Sequence, residues 1–222
     1  MKNKIIDFYE IAFTHFGDLK WWPADNPFEI SIGAILTQNT NWVNAQKAID
    51  CLRANGILDL DALIKTPVEN IATSIKSSGY FNQKALKLKY FVEWFKNDFD
   101  GFFPNAENVS TLDLRKQLLS IKGIGPETAD DILLYAFERP VFVVDAYTYR
   151  IAVRHGWTPP QANYDELAEL FYSHIEEDLF VYKNFHAILV ELGKNYCSKK
   201  KPKCNTCPMK KTLVENNPYE LY

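Results

Sequence analysis

The sequence predicts an all-α protein, because apolar residues recur at helical spacing in most segments and alternation typical of strands is nearly absent. The one strand-like run, 141–144, is too short and too isolated to found a sheet. In the first clear helical segment, Phe28, Ile32, Ile35 and Leu36 share one face. This spacing indicates a helix that packs against a core.

Two further segments show the same pattern. The first begins after Ser110-Thr111, a pair suited to capping the start of a helix, and one of its faces carries Leu114, Leu118 and Ile121. The next helix carries apolar residues at positions i, i+3, i+4 and i+7, namely Ala129, Ile132, Leu133 and Ala136. A regular amphipathic helix is therefore expected on either side of residues 122–125.

The 222 residues, 47% hydrophobic and 14% aromatic, fit one or two globular domains with a substantial core. No apolar run approaches the roughly 18 residues of a membrane helix and no signal-like segment follows the basic start, so we expect an intracellular protein. The net charge is only −3, but seven lysines and no acid lie between residues 194 and 211. This segment, with Lys200 and Lys201 at its centre, could bind phosphates or could be ordinary solvated surface.

The most informative stretch is a helical hairpin, in which one amphipathic helix runs into Gly123-Ile124-Gly125 and another begins at once. Two glycines permit a tight turn with positive φ and leave backbone N–H groups unobstructed. Pro126 suits the first position of the second helix, and Ile124 can fill the space between the helices. Together with Lys122, the hairpin amides and the helix end offer a site for an anion such as a phosphate.

Asp145 lies twenty residues beyond Gly125, after the apolar run 141–144 and before a predicted helix over 146–155. This order of hairpin, helix, apolar segment and aspartate resembles the endonuclease III superfamily of DNA glycosylases, which carry a helix-hairpin-helix motif. The resemblance covers nearly the whole chain, and it implies a DNA repair enzyme of the cytoplasm and nucleoid of a bacterium. Its implied partner is double-stranded DNA that contains a damaged base, bound by a monomer.

The resemblance also implies a two-domain helical fold. Residues 25–138 would form a six-helix barrel-like domain that carries the hairpin. Residues 1–24 and 139–222 would form the second domain, with a cysteine loop at its end. The expectation is that DNA lies across the cleft and that the base enters between Trp22, Trp42 and Asp145.

Asp145 has two interpretations. The structural one is an N-cap, because aspartate is a common first residue of a helix. The catalytic one follows from the resemblance: breaking an N-glycosidic bond builds positive charge on the sugar, which a fixed carboxylate can stabilise while it orients or deprotonates water. The apolar run before Asp145 would exclude water and strengthen the field of the carboxylate.

Family members that also cleave the DNA backbone carry a lysine in the second helix of the hairpin, and its amine attacks the sugar. The matching residue here is Glu127, which cannot form such an adduct. The resemblance therefore implies a monofunctional glycosylase that leaves an abasic site.

A base inside a duplex must be flipped out before an enzyme can reach it, and the gap must be filled. Gln38 matches the family glutamine that fills this gap, and Tyr80 matches the tip of the loop that wedges into the opposite strand. Asn82 resembles the cap of the following helix. Gln38 and Tyr80 could also have purely structural roles, since Gln38 could bond its own helix end and Tyr80 could belong to a plain loop.

The whole arrangement is most similar to bacterial 3-methyladenine glycosylases of the endonuclease III type. The residues that match the border of their base pocket are Trp21, Trp22, Pro23, Trp42 and Lys194. An electron-rich aromatic cage suits a base that methylation has made cationic, through stacking and cation–π contacts of roughly 1–2 kcal/mol. In isolation, a Trp-Trp-Pro before a helix is more often a packing element.

Cys197, Cys204 and Cys207 resemble three of the four ligands of the family's iron–sulfur loop, whereas the fourth position is Leu213. Three options stay open: a [4Fe–4S] cluster with a non-cysteine fourth ligand, a zinc site, or reduced thiols without a metal.

The leading hypothesis is therefore an alkylpurine glycosylase. Its nearest rival is an endonuclease III-like glycosylase and lyase for oxidised pyrimidines. A third hypothesis, from another class, is a non-catalytic DNA-binding protein that uses the hairpin only to hold a phosphate.

Overall fold

The computed structural model describes residues 2–213, with side chains from Lys4 onward. Within this range the regular structure is helical and contains no strand, which confirms the predicted all-α class. The last part of the predicted second domain, 214–222, lies outside the described residues. No described helix is long and apolar enough to cross a membrane.

Eleven α-helices are assigned among the described residues. In chain order they are α1 (Lys2–Phe16), α2 (Pro27–Leu36), α3 (Trp42–Ala54), α4 (Leu60–Lys65), α5 (Val68–Ser74), α6 (Phe81–Phe99), α7 (Thr111–Ser120), α8 (Pro126–Asp131), α9 (Ala146–Arg154), α10 (Tyr164–Tyr172) and α11 (Leu179–Asn195). A π-helical segment, Ile132–Ala136, continues α8 directly. Short 3₁₀ turns lie at Lys76–Ser78, Phe103–Ala106, Cys204–Thr206 and Lys210–Thr212.

The chain divides into two compact units. The hairpin unit is Trp22–Arg139 and contains α2 to α8 with the π-helical segment. The terminal unit combines Met1–Trp21 with Pro140–Tyr222 and contains α1 and α9 to α11.

The hairpin unit is built around α2 and α6. Ile32, Ile35 and Leu36 of α2 are fully buried, as the apolar spacing predicted. On α6, Phe91 and Phe95 are also buried, and their rings stack 5.9 Å apart. Side chains that cap the starts of the helices fix where these elements begin, because each accepts a hydrogen bond from an otherwise unpaired amide; the caps are Asn26, Asn41, Asp59 and Ser110.

The terminal unit has a core of aromatic rings. Phe8 of α1 contacts the rings of Trp157 and Phe185 edge-on or tilted, and Phe142 stacks on Phe171 at 3.9 Å. The run 141–144 is buried and not in a sheet, as expected. Because this run leads straight into α9, the core fixes the position of the residue at the start of that helix, Asp145.

Candidate active site and nucleic-acid interface

The predicted hairpin is present between α7 and α8. Gly123 adopts φ +92°, a left-handed conformation that strongly favours glycine. Gly125 does not need this freedom, because its φ is −99° and its ψ −179°; the prediction of positive φ at both glycines is wrong at this position. Ile124 is 5% exposed, as its predicted filling role requires, whereas Lys122 is exposed beside the turn.

A part-buried ion pair that the sequence did not reveal joins the two helices of the hairpin. Arg115 of α7 donates from Nε and Nη2 to the two carboxylate oxygens of Asp130 in α8, at 2.7 and 2.9 Å. The Asp130 side chain is only 1% exposed. Bidentate pairs of this kind are among the strongest polar contacts in proteins, so the turn is held rigidly between its helices.

Gln38 lies on the hairpin in this structure. Its Nε2 donates to the carbonyl of Gly123 at 3.2 Å and to Oγ1 of Thr128 at 2.8 Å. Its Oε1 accepts from Nζ of Lys87 at 2.5 Å. This network joins three separate segments of the hairpin unit. It is not the predicted alternative, in which Gln38 bonds the end of its own helix.

Tyr80 is 67% exposed at the tip of a tight turn, with φ +46° after Gly79 at φ +68°. These two left-handed residues turn the chain so sharply that α6 begins at Phe81. Asn82 therefore lies inside the first turn of α6, and its predicted role as the cap of that helix is wrong.

Lys84 braces this turn from inside the hairpin unit. Its ammonium donates to the carbonyls of Leu36 and Ser78, at 2.9 and 2.6 Å, and the residue is 1% exposed. Burial, with a smaller contribution from the charge of Lys87, lowers the pKa of Lys84 to about 8. The segments that carry Gln38 and Tyr80 are thus tied to one buried group.

Asp145 caps α9, and only one of its oxygens does so. Oδ1 accepts from the backbone N–H groups of Tyr147 and Thr148, at 3.0 and 2.7 Å. The side chain is 12% exposed, and Oδ2 faces Nε2 of His186 at 3.9 Å. The structural interpretation of Asp145 is therefore correct, but it leaves Oδ2 outside the cap and oriented by a rigid helix start.

His186 is almost completely buried on α11 beside this carboxylate. Burial lowers the pKa of His186, Asp145 opposes this effect and Lys194 adds to it. The lowered pKa favours the neutral form of the imidazole beside the Asp145 carboxylate. The sequence alone did not reveal His186, because a histidine within an apolar helix resembles an ordinary core residue.

The start of α9 packs closely on α11 at Gly193. A Cβ atom added to Gly193 would lie 2.6 Å from Cβ of Tyr147. Tyr147 is also one of the two residues whose backbone N–H binds Oδ1 of Asp145. Gly193 therefore allows the first turn of α9, with its Asp145 cap, to pack directly on α11.

The hairpin unit presents an aromatic cluster of three rings. Trp22 meets Trp42 edge-to-face at 5.2 Å and Tyr135 at 5.4 Å. The indole of Trp22 passes over Gly33, where an added Cβ would already be in contact at 3.4 Å. Trp22 and Trp42 are half-buried, and Nε1 of Trp22 is fully covered, whereas Tyr135 is 4% exposed.

Tyr135 was not among the predicted pocket residues. It lies in Ile132–Ala136, where the hydrogen bonding changes from α to π, a change often found at functional sites. The apolar spacing had predicted a regular α-helix here. Since all five residues of the segment are buried, no amphipathic face marks the change.

The other predicted pocket residues are divided between the two units. Nζ of Lys194 lies 4.8 Å from the ring centre of Trp21, and both belong to the terminal unit. Pro23 is exposed and belongs to the hairpin unit. The exposed Lys194 thus makes a cation–π contact with the first tryptophan of the pair.

Two arginines of α9 hold the cysteine loop. Arg150 Nε donates to the carbonyl of Cys197 at 2.6 Å. Arg154 donates to Sγ of Cys197 at 3.1 Å, to the carbonyl of Ser198 at 2.7 Å and to that of Lys199 at 3.0 Å. Lys200 and Lys201 remain exposed on the outside of this fixed backbone.

The cysteines of the loop do not fit a cluster held by four thiolates. Cys197, Cys204 and Cys207 line one pocket, and the side chain at the fourth position in that pocket is Leu213, which has no ligating atom. Among residues 4–213, no group of three His, Cys, Asp or Glu side chains is arranged to hold a metal ion. Burial raises the pKa of the Cys207 thiol, which favours its protonated form.

Comparison with known sequences identifies the family of this chain. A model of the HhH-GPD superfamily of base excision DNA repair proteins matches residues 32–177. A protein of Methanocaldococcus jannaschii named as a DNA repair glycosylase is 40% identical over 207 residues, 93% of this chain and 94% of that protein. An endonuclease III of Thermotoga maritima is 28% identical over 185 residues, 83% of this chain and 81% of the enzyme.

Comparison with solved structures supports the same family. A 3-methyladenine DNA glycosylase of H. pylori, bound to 1,N6-ethenoadenine, matches with a TM-score of 0.73 and 31% identity, over 84% of this chain and 97% of that one. An endonuclease III trapped covalently on DNA matches with a TM-score of 0.82 over 97% of this chain and 96% of that one, but at 21% identity it shows only the shared fold. By its sequence, its fold and its hairpin, the chain belongs to the HhH-GPD superfamily of base excision DNA repair proteins, as a DNA glycosylase.

Proposed function

We propose that this glycosylase hydrolyses the N-glycosidic bond of alkylated purines, 3-methyladenine foremost, and that it leaves an abasic site. The observation that carries the substrate proposal is the edge-to-face pair of the half-buried Trp22 and Trp42, with Tyr135 against Trp22. Flat rings with electron-rich faces suit a flat cationic base. The H. pylori glycosylase at 31% identity, which was solved with a modified adenine, supports a purine substrate.

The charge balance of the reaction makes one carboxylate sufficient. In a 3-methyladenine nucleotide the base is cationic, so the electrons of the breaking C1′–N9 bond neutralise the leaving base without a proton from an acid. The sugar is left with oxocarbenium character, and Oδ2 of Asp145 is the anion proposed to stabilise it. A water molecule then adds to C1′, and its proton passes to Asp145 or to solvent.

The lack of lyase activity is proposed from Glu127. This residue is exposed in the first turn of α8, at the position where lyases of the family carry their nucleophilic lysine. A carboxylate cannot form a Schiff base with the sugar.

Borohydride trapping tests this proposal. Reduction during turnover should yield no covalent enzyme–DNA product, because no imine forms. Glu127→Lys provides a matched gain-of-function control, in which trapping would show that the assay detects an amine at this position. A trapped adduct of the unmodified protein would favour the rival glycosylase and lyase.

We propose that the cysteine loop is held by the two arginines and by apolar packing, not by a four-thiolate cluster. The support is the donor set, three thiols with Leu213 at the fourth position. Protein purified without oxygen should show no iron–sulfur absorption near 400 nm and no stoichiometric iron or zinc. About one metal site filled per chain would overturn the proposal.

A further inference from the structure

Lys87 occupies an unusual position for a cation in the hairpin unit. It lies in the second turn of α6, and its side chain crosses the hairpin turn at Gly123. A Cβ added to Gly123 would lie 2.6 to 3.0 Å from the Cε, Cγ and Cδ atoms of Lys87. The φ of +92° favours glycine at this point, and the lysine chain passes so close that an added Cβ would force it to shift.

The partner of this ammonium is a neutral amide. Nζ of Lys87 donates to Oε1 of Gln38 at 2.5 Å, and burial lowers the pKa of the lysine. An amide offers only a dipole to a charge that has lost part of its hydration. A group with a full negative charge would satisfy this ammonium better.

The hairpin turn is open to such a group. A Cβ added to Gly125 would meet nothing within 4 Å, so an anion can approach the backbone there. Lys122 is exposed beside the turn. The duplex supplies a phosphate wherever its backbone meets this surface.

We propose that Lys87 is a phosphate ligand of the hairpin, and that its ammonium moves from Oε1 of Gln38 to a DNA phosphate when the duplex binds. The transfer removes the shortest of the three hydrogen bonds that hold Gln38 on the hairpin. Gln38 then keeps only its bonds to Gly123 and Thr128, so it enters the base stack more readily once DNA is in place. This inference rests on the proposed DNA binding and base flipping.

The proposal gives a role to the contacts that hold Gln38 on the hairpin. An exposed glutamine would sample many rotamers, and ordering it against DNA would cost conformational entropy. In the observed network, Gln38 is instead held close to the segment that first contacts the duplex. Lys87 couples its release to the arrival of a phosphate.

The test measures binding of an undamaged duplex by fluorescence anisotropy between 50 and 200 mM salt. Lys87→Met keeps most of the side-chain volume and removes the charge. It should weaken binding several-fold and reduce the slope of log affinity against log salt by about 0.9, the value for one phosphate contact. The matched control is Lys96→Met on the same helix, about 13 Å further along its axis. Because Lys96 pairs with Asp100 at 2.7 Å, its removal should leave the slope unchanged.

A second comparison tests the transfer itself. In a Gln38→Ala background, Lys87 has no bond to give up, so Lys87→Met should cause a larger fold-loss of affinity there than in the unmodified protein. An unchanged salt slope, or the same change with Lys96→Met, would overturn the phosphate contact. Equal fold-losses in both backgrounds would overturn the transfer. Failure of the unmodified protein to bind any duplex would instead refute the proposed function, and circular dichroism with thermal melting identifies variants that lose the fold.

Discussion

Replacing Asp145 by asparagine is expected to slow base release by on the order of 10³-fold, the effect of losing a preorganised electrostatic contact with a transition state. Duplex binding should be nearly unchanged. Asparagine can still accept hydrogen bonds from the N–H groups of Tyr147 and Thr148, so the cap of α9 is kept. What disappears is the negative charge on Oδ2.

The measurement is a single-turnover assay of free base from alkylated DNA, alongside anisotropy with the same duplex. Asp145→Ser serves as a second variant, since serine also caps helices but carries no amide. Base release at the rate of the unmodified enzyme would show that Asp145 is only a cap and would favour a non-catalytic hairpin protein. A fall in melting temperature that matches the loss of activity would point to a structural cause.

Removing one ring of the aromatic cluster should have the second largest effect on base excision. Trp42→Ala is expected to lower excision of alkylated purines by roughly 10- to 100-fold, since stacking of one base on an aromatic ring is worth about 1–3 kcal/mol. Binding of undamaged duplex should change little, because a base that stays in the stack never meets this ring.

Trp42→Phe is the matched control, and it should retain most of the activity because it keeps a flat ring against Trp22. Excision by each variant is measured at saturating enzyme, with binding of undamaged DNA in parallel. If Trp42→Ala weakened binding of undamaged DNA as much as excision, the ring would belong to the general DNA interface and not to a base pocket.

Local patterns in the sequence were sufficient to predict the helical class and much of the hairpin. Ser110 caps α7, the apolar face of α2 is buried, and Asp145 starts α9, because capping and helical spacing depend on residues close together in the chain. Errors occurred where backbone geometry departs from the average. Asn82 was predicted to cap α6, which would start the helix at residue 83. The left-handed Tyr80 turns the chain so that α6 begins two residues earlier, at Phe81.

The contacts that the sequence did not reveal join distant residues. Arg115 and Asp130 are 15 positions apart, and Lys87 and Gln38 are 49 apart. Neither pair follows from periodicity, since each depends on how helices pack. Tyr135 was missed for a related reason, because a π-helical turn inside a fully apolar segment changes which side chain faces Trp22.

The most direct test of the whole account is release of free base from a panel of duplexes, each with one defined lesion, followed by chromatography. We expect that 3-methyladenine is released fastest, that oxidised pyrimidines are left in place, and that the product strand keeps an intact backbone at the abasic site. Release of an oxidised pyrimidine without any release of an alkylated purine would contradict it.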